Sequence, residues 1–363
     1  MPVSAPLRIR SLKARPVDVP LSVPHPTAGG VVNSAPLVLI DLETEEGITG
    51  RSYVFCYSAI AAPPVARLVI NLEGLIKGDP VVPLALDQKL QQRFRLLGPQ
   101  GLTGIAMAGI DMAAWDALAR AAGLPVVRLI GSEPRPIAAY DSLGMAGVDE
   151  AARDAEASVA RGFDTVKFKV GYSDGADDLQ VVTAARRAGS NDLGVMVDYN
   201  QSLSVPEALH RCRLLDDAGL IWIEEPTSAD DYDGHAEIRA GSQTPIQMGE
   251  NWWGPHDMAK ALAAGASDYV MLDVMKIGGV TGWLRAAALA EAKGLRVSSH
   301  LFPEISVHLL AATPMAHWLE YQNWVDPILV HPLTVNSGKA IAPDRPGFGL
   351  EWNEAAVRQF SIQ

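Results

Sequence analysis

Alternating and helical patterns of apolar residues divide the chain into successive regions. From residue 7 to about 57, apolar and polar positions alternate in three runs, 7–19, 35–42 and 48–55, which predict an antiparallel meander. Residues 22–34, between the first two runs, are rich in Pro and Gly and predict a long mobile loop of the kind that forms lids. From about 59 to 131 the apolar period becomes helical, most clearly over 104–120.

Strand and helix patterns then alternate from Pro136 to about Glu320. Eight apolar segments at this spacing predict a closed parallel barrel in which the helix after the last strand is missing. The predicted strands are 137–142, 165–170, 193–199, 220–225, 246–250, 269–273, 296–300 and a weaker one near Trp318. The expected fold class is therefore α/β, with a (β/α)7β modified TIM barrel.

The regions that flank the barrel are expected to form one further domain. We expect an α+β N-terminal capping domain over residues 1–132 and the catalytic barrel over 133–320. Residues 321–363 turn rich in Pro, Gly and Asn, with a short strand-like piece at 333–335. We expect this C-terminal segment to pack back on the capping domain and to complete it.

Composition excludes several classes of protein. The 363 residues, 48% of them hydrophobic, exceed the roughly 250 residues of a single barrel and leave room for a second domain. The net charge of −12 without a basic run argues against nucleic acid. Cys56 and Cys212 are too few for a disulfide framework, and neither a signal peptide nor a membrane span is apparent. We expect a cytoplasmic protein with no membrane partner.

Three apolar runs in the barrel region each end in an acid. The runs 195–198, 221–224 and 246–250 end in Asp198, Glu224 and Glu250, and successive acids are 26 residues apart. That interval is about one strand and one helix, so the acids recur once per βα unit and converge at the catalytic face of a barrel. Such carboxylates repel one another unless a cation lies among them. Hard oxygen ligands favour Mg²⁺, with Mn²⁺ as the alternative, over zinc.

The same acids have a second interpretation. An acid at a strand end often caps the following helix, and a single one of these would fit that role. Three acids at equal spacing, each directly after an apolar strand, favour a metal site over helix caps. Glu225 follows Glu224 directly and is expected to point to the opposite side of its strand, as a supporting or structural acid.

Candidate bases lie on both sides of the predicted metal site. Lys167 and Lys169 occupy positions i and i+2 of one strand, hence one face, and two confined ammonium groups lower each other's pKa. Asp273 and His300 end adjacent strands, where a carboxylate would raise the basicity of the imidazole. Solvent-facing lysines and a structural histidine are the alternatives. Lys276, just beyond Asp273, is expected to orient it.

These motifs together resemble the mandelate racemase subgroup of the enolase superfamily. The matching segments, which span nearly the whole chain, are 35–42, 109–116, 166–169, 197–200, 222–226, 248–250, 273–279, 298–300 and 317–320. The resemblance implies that Asp198, Glu224 and Glu250 hold Mg²⁺. It also implies that Lys169 is the base on one face of the substrate and His300, with Asp273, the base on the other.

The resemblance assigns further roles to residues around these bases. Lys167 and Ser142 would contact the substrate carboxylate, Asn200 would contact its 2-hydroxyl, and Glu320 would donate a hydrogen bond to the developing enediolate. The pocket for the distal part of the substrate would be lined by His25, Val32, Phe55, Tyr57, Leu301 and Gln322. We also expect a homo-oligomer, with an octamer among the assemblies considered.

The chain departs from the racemase pattern mainly in this distal pocket. His25 and Gly29 stand where the racemase has valines, and Gln322 replaces a leucine. Phe168 replaces a threonine between the lysines, and Leu143 a histidine after Ser142. The chemical groups are retained while the pocket becomes more polar, which favours a substrate other than plain mandelate.

The sequence therefore predicts a metal-dependent enzyme that abstracts the α-proton of a 2-hydroxy carboxylate, as a racemase or epimerase. An acid-sugar dehydratase, with His300 as the acid that expels the 3-hydroxyl, is the alternative, and a cycloisomerase is the third. A non-catalytic sugar-acid binding protein is disfavoured, because it would need neither Lys169 nor the pair Asp273 and His300.

Overall fold

A computed structural model describes residues 6–190 and 192–362 of the protein. The first region forms three antiparallel strands followed by helices. The elements are β1 (Ile9–Thr27), β2 (Gly30–Thr44), β3 (Thr49–Phe55), α1 (Ala62–Ile76), α2 (Pro83–Phe94), α3 (Gly101–Ala122) and α4 (Val126–Leu129). Strand β2 pairs with both β1 and β3, so the predicted meander is confirmed.

Helix α3 packs closely on this sheet. A Cβ added at Gly109 would lie 2.3 Å from the Cδ1 atom of Ile40, and one at Gly50 would lie 2.0 Å from the carbonyl oxygen of Ala113. Only glycine allows these approaches. By length and composition α3 is apolar enough to cross a membrane, but 78% of its most apolar window is buried inside the protein, as in a core helix.

Residues 22–34 form a β-hairpin, so the prediction of an irregular loop was wrong. Strand β1 continues to Thr27 and β2 begins at Gly30, with His25 paired to Val32 across the hairpin. The prolines of β1 are tolerated because it is an edge strand, where a missing N–H breaks no ladder. The carbonyl of Pro26 accepts a hydrogen bond from the amide of Met145, 2.7 Å away. The hairpin tip therefore lies on a loop of the barrel.

The barrel contains seven strand–helix pairs and a final strand, as predicted. Its elements are β4 (Ile137–Ser142), α5 (Val148–Ala160), β5 (Thr165–Lys169), α6 (Gly175–Gly189), β6 (Gly194–Asp198), α7 (Val205–Leu215), β7 (Ile223–Glu224), α8 (Tyr232–Gly241), β8 (Ile246–Met248), α9 (Pro255–Ala264), β9 (Tyr269–Asp273), α10 (Gly279–Lys293), β10 (Val297–His300), α11 (Pro303–Ala312) and β11 (Leu319–Tyr321). Neighbouring strands are parallel, and β11 pairs with β4. The amide of Ser299 donates to the carbonyl of Trp318 (3.0 Å), which closes the ring.

The C-terminal tail contacts both the barrel and the capping sheet. It contains β12 (Val335–Asn336), β13 (Lys339–Ala340) and α12 (Glu354–Gln359), and β13 pairs antiparallel with the beginning of β4. Farther along, the carbonyl of Phe360 accepts from the amide of Asp18 (2.9 Å). The indole of Trp352 donates to Asp41 of β2, also at 2.9 Å. The tail thus connects the capping sheet to the barrel through hydrogen bonds to both.

A buried carboxyl at the junction of the two domains makes stability depend on pH. Burial raises the pKa of Glu304, on α11, to about 7, and its Oε2 accepts from the Tyr53 hydroxyl at 2.6 Å. The folded protein therefore keeps this proton between about pH 4.3, where the unfolded carboxyl titrates, and pH 7. The stability it contributes is full below that window and is lost as the pH rises through it, by at most roughly 4 kcal/mol.

We expect Glu304→Gln to cancel this pH dependence, because its carbonyl still accepts from Tyr53 and it cannot ionise. Melting temperatures measured at pH 5 and pH 8 should show that the stability of the variant relative to the wild type increases as the pH rises. Glu156→Gln, which changes an exposed acid of α5, is the matched control and should show no such gain. A Glu304→Gln difference that is the same at both pH values would contradict the assignment.

Candidate active site

The three predicted acids meet at the carboxyl ends of the barrel strands. Asp198 ends β6, its register partner Glu224 ends β7, and Glu250 lies just after β8. One ligand oxygen from each acid lies within 4.8 Å of those of the others, and all three side chains are buried. Gly249 permits this placement: its φ is +131°, and a Cβ there would lie 2.5 Å from the Met271 carbonyl oxygen.

This carboxylate triad suits a small hard cation. All its donors are oxygen, and three buried carboxylates this close repel one another strongly without a positive charge among them. Carboxylate oxygen ligands are those that Mg²⁺ prefers. The triad therefore fits the predicted magnesium site.

Two buried lysines lie against the triad. The Nζ atom of Lys167 is 2.7 Å from Glu224 Oε1 and 2.9 Å from Glu320 Oε1, and Lys169 donates to Asp198. Burial alone would lower both lysine pKa values, but the pKa of Lys167 is raised by Glu224 and Glu320, and that of Lys169 by Asp198. Lys167 lowers the pKa of Lys169, as the sequence predicts, but the neighbouring carboxylates outweigh this repulsion, so neither lysine pKa is lowered overall in this arrangement.

His300 and Asp273 form the predicted dyad on the other side of the triad. The Nδ1 atom of His300 lies 2.8 Å from Asp273 Oδ2, and its Nε2 lies 3.3 Å from Glu250 Oε2. Burial lowers the pKa of His300, but Glu250 and the bond to Asp273 outweigh it, so the pKa is raised overall. Asp273 is held by the backbone amides of Met275 and Lys276, each 2.8 Å from its Oδ1.

Glu320, the middle residue of the closing strand β11, is surrounded by donors. Its Oε1 accepts from the Ser142 hydroxyl and its Oε2 from the Leu301 amide, both at 2.8 Å. Burial would raise the pKa of Glu320, but the charges of Lys167 and His300 lower it below its usual range. In this state Glu320 is an ionised acceptor, whereas the role that the resemblance implies requires a donor. A proton must reach it before it serves in that role.

Asn200 lies beside the triad, with φ of +44°. Its backbone amide and its side-chain Nδ2 both donate to Asp198, at 2.7 and 3.1 Å. Its Oδ1 is buried and has no hydrogen-bond partner among residues 6–190 and 192–362. This oxygen is left to accept a hydrogen bond from a ligand.

The residues predicted to line the distal pocket lie on or next to the capping sheet and on the loops after β10 and β11. Phe55, Leu301 and Gln322 line one cavity of about 20 Å³, and Trp324, which the sequence did not single out, lines it with them. His25 meets Trp324 edge-on at 5.4 Å between ring centroids. Tyr57, half exposed, packs on Phe55 at 4.6 Å, and Val32 lies opposite His25 in the hairpin.

Two expectations about neighbouring charged residues were met only in part: Glu225 supports the triad but not from the opposite side, and Lys276 holds Asp273 through its backbone amide and not through its side chain. Glu225 is past the end of β7 with φ of +36°, so strand alternation does not apply, and its Oε2 accepts from Asn251 Nδ2 at 2.6 Å. The same nitrogen lies 3.3 Å from Glu250 Oε1, so Glu225 supports the triad from its own side. The side chain of Lys276 does not orient Asp273. It donates to Asn251 Oδ1 (2.5 Å) and lies over the Tyr57 ring.

A solved structure and two curated proteins are similar to this chain. An enolase from Bradyrhizobium, crystallised with magnesium and mandelic acid, is 44% identical and superposes with a TM-score of 0.96 over 99% of this chain and 100% of its own. The L-talarate/galactarate dehydratase of Salmonella typhimurium LT2 is 30% identical over 89% of this chain and 82% of its own. The 3,6-anhydro-alpha-L-galactonate cycloisomerase of Streptomyces coelicolor is 30% identical over 92% and 93%.

Family models match both domains. The mandelate racemase/muconate lactonizing enzyme N-terminal domain matches residues 9–131, and the enolase C-terminal domain-like model matches residues 150–356. The relatives named above include a structure that contains magnesium and enzymes of two reaction types, a dehydratase and a cycloisomerase. The chain belongs to the mandelate racemase/muconate lactonizing enzyme family of the enolase superfamily.

Proposed function

We propose that the protein is a magnesium-dependent racemase or epimerase of a 2-hydroxy carboxylate, acting through an enediolate. One observation carries the proposal: the carboxylate triad has a candidate base on each side. Lys169 contacts Asp198 at one end, and His300 Nε2 lies 3.3 Å from Glu250 at the other. Removal of a proton from one face and return to the opposite face inverts a stereocentre, and it needs two bases placed in this way.

The neighbouring residues suit an anionic substrate. A proton next to a carboxylate is very weakly acidic, so its removal needs positive charge and donors around the carboxylate oxygens. Lys167 and Ser142 would bind that carboxylate, and the free Oδ1 of Asn200 would accept from the 2-hydroxyl. An anion that draws Lys167 away from Glu320 removes the charge that keeps Glu320 ionised, so Glu320 can then take up a proton and donate it in a hydrogen bond.

Asp198, Glu224 and Glu250 would hold Mg²⁺, which would supply positive charge to the enediolate oxygens. Burial and the charge of Lys167 act to lower the pKa of Lys169, and the charge of Asp198 opposes them, so a cation that neutralised Asp198 would favour the neutral amine that accepts a proton. The ring of mandelic acid in the Bradyrhizobium relative supports an aryl group on the substrate. The aromatic walls of the distal pocket, among them Phe55 and Trp324, support the same substrate.

An acid-sugar dehydratase is the second candidate, because it uses the same first proton abstraction and the Salmonella relative has that activity.

The decisive experiment is a panel of 2-hydroxy acids and sugar acids with Mg²⁺, followed by optical rotation and by 2-keto-acid formation in parallel. We expect loss of optical rotation from an aryl 2-hydroxy acid without keto acid. Keto acid without racemisation would assign the dehydratase reaction instead.

A further inference from the structure

We propose that the distal pocket recognises one hydroxyl group on an otherwise apolar ring, through His25 and Gln322. The inference rests on the proposed function and names the class of substrate within it: a 2-hydroxy-2-arylacetate with a hydroxylated ring. It depends on two buried polar atoms that the fold places at one aromatic side chain.

His25 and Gln322 reach the pocket from different domains. His25 lies on β1 in the capping hairpin, and Gln322 follows β11 of the barrel. Trp324 connects them, since its ring meets that of His25 at 5.4 Å and it lines one cavity with Gln322. The hairpin, whose tip contacts the barrel at Met145, therefore brings His25 to the wall that holds Gln322.

Both side chains are more than nine-tenths buried, each with 7% exposure. The Nε2 atom of His25 and the Oε1 atom of Gln322 have no hydrogen-bond partner in the described part of the chain. Buried polar atoms of folded proteins nearly always have partners, so an unpaired atom calls for a reason. Two such atoms on residues that both adjoin Trp324 point to a ligand group that pairs with both.

The chemistry of these atoms selects a hydroxyl. An amide oxygen only accepts hydrogen bonds, so the group opposite Gln322 must donate. Burial and the charge of Lys169 lower the pKa of His25 to about 4, so its imidazole is neutral at pH 7. A neutral imidazole nitrogen donates or accepts according to its tautomer. A hydroxyl does both, whereas a carboxylate cannot donate to Gln322 and an ammonium has no facing carboxylate among the residues that line this cavity.

The rest of the wall argues for a ring with a single hydroxyl. The cavity beside Gln322 is lined mainly by apolar and aromatic side chains, among them Leu37, Phe55, Leu301 and Trp324. A polyhydroxylated chain would leave several of its hydroxyls unpaired against this surface, which is unfavourable. Phe55 and Trp324 pack on each other with ring centroids 5.5 Å apart, and their outer faces and edges offer a flat apolar ring further aromatic contact.

The test compares mandelate with 3-hydroxy- and 4-hydroxymandelate. With the wild type we expect kcat/KM for the better hydroxylated ring to exceed that for mandelate by about tenfold or more, as for a site whose buried polar groups are otherwise unpaired. Gln322→Leu and His25→Phe, the second of which keeps a ring against Trp324, should each lower that ratio about tenfold. Gln180→Leu on the exposed face of α6 is the control and should leave the ratio unchanged.

Apolar substitutions at both positions should instead favour mandelate, whose ring carries no hydroxyl. We expect His25→Val combined with Gln322→Leu to raise kcat/KM for mandelate about tenfold, because both changes replace polar atoms with apolar surface against the phenyl group. No gain in a folded double variant that still binds Mg²⁺ would place these residues outside the pocket and would overturn the inference.

The possible outcomes distinguish this inference from the proposed racemase function on which it rests. Racemisation of all three acids, with a ratio that neither single variant changes, would overturn the hydroxyl assignment and leave the racemase proposal standing. Absence of both turnover and α-proton exchange with every aryl acid would overturn both. Preference for a sugar acid over all three rings would overturn the ring assignment and favour the dehydratase.

Discussion

Glu224→Gln and Asp198→Asn are each expected to abolish turnover while leaving the fold intact. Each change removes a charged ligand from a triad whose oxygens lie within 4.8 Å of one another. Loss of one anionic ligand should weaken Mg²⁺ and raise the barrier to enediolate formation by several kcal/mol, which corresponds to about a 10³-fold loss of rate or more. Rate assays and Mg²⁺ titration by calorimetry measure the two effects separately.

The matched control for these variants is Glu156→Gln, which changes an exposed acid of α5 outside the triad and should retain full activity. Circular dichroism should show that all three variants are folded. Metal removal provides an independent check, since EDTA should stop the reaction and added Mg²⁺ or Mn²⁺ should restore it. Full activity after complete removal of metal would disprove the metal assignment.

Lys169→Met and His300→Asn are expected to separate the two half-reactions. Each variant keeps one base, so in D₂O it should exchange the α-proton of one enantiomer and fail to interconvert the two. Loss of a positioned base typically costs 10²- to 10⁴-fold, and roughly this loss is expected in racemisation. Proton NMR of each enantiomer, incubated separately with each variant, measures the exchange.

Three results would count against this two-base scheme. Two-way turnover near the wild-type rate in Lys169→Met would exclude Lys169 as a base. Exchange of the same enantiomer by both variants would contradict the placement of the bases on opposite faces. Loss of exchange in only one variant is the pattern of a dehydratase that abstracts its proton from a single face.

The regular parts of the fold were predictable because they depend on periodicity. The acids Asp198, Glu224 and Glu250 end successive apolar strands, and strand ends of a parallel barrel meet at one face whatever the details of the loops. The same argument placed Asp273 beside His300, which the 2.8 Å contact confirms.

The errors fall where regular periodicity stops. Glu225 lies one residue past its strand in a left-handed conformation, which reverses the direction that alternation assigns. Prolines in residues 22–34 suggested a loop, but an edge strand tolerates them because its outer N–H groups need no strand partner. Trp324 lies in a segment with no periodic pattern, so only the three-dimensional structure brings it to His25.

The junction between Tyr53 and Glu304 bears on how this enzyme can acquire new substrates. Helix α11 begins three residues after His300, through Leu301 and Phe302, both of which have left-handed backbone. Phe302 stacks on Tyr53 of the capping sheet at 5.1 Å, next to the hydrogen bond from Tyr53 to Glu304. Cap and barrel are therefore not interchangeable modules. A capping sheet grafted from another protein should therefore keep a tyrosine at the position of Tyr53. Without its contacts to Phe302 and Glu304, the graft would disturb the backbone next to His300.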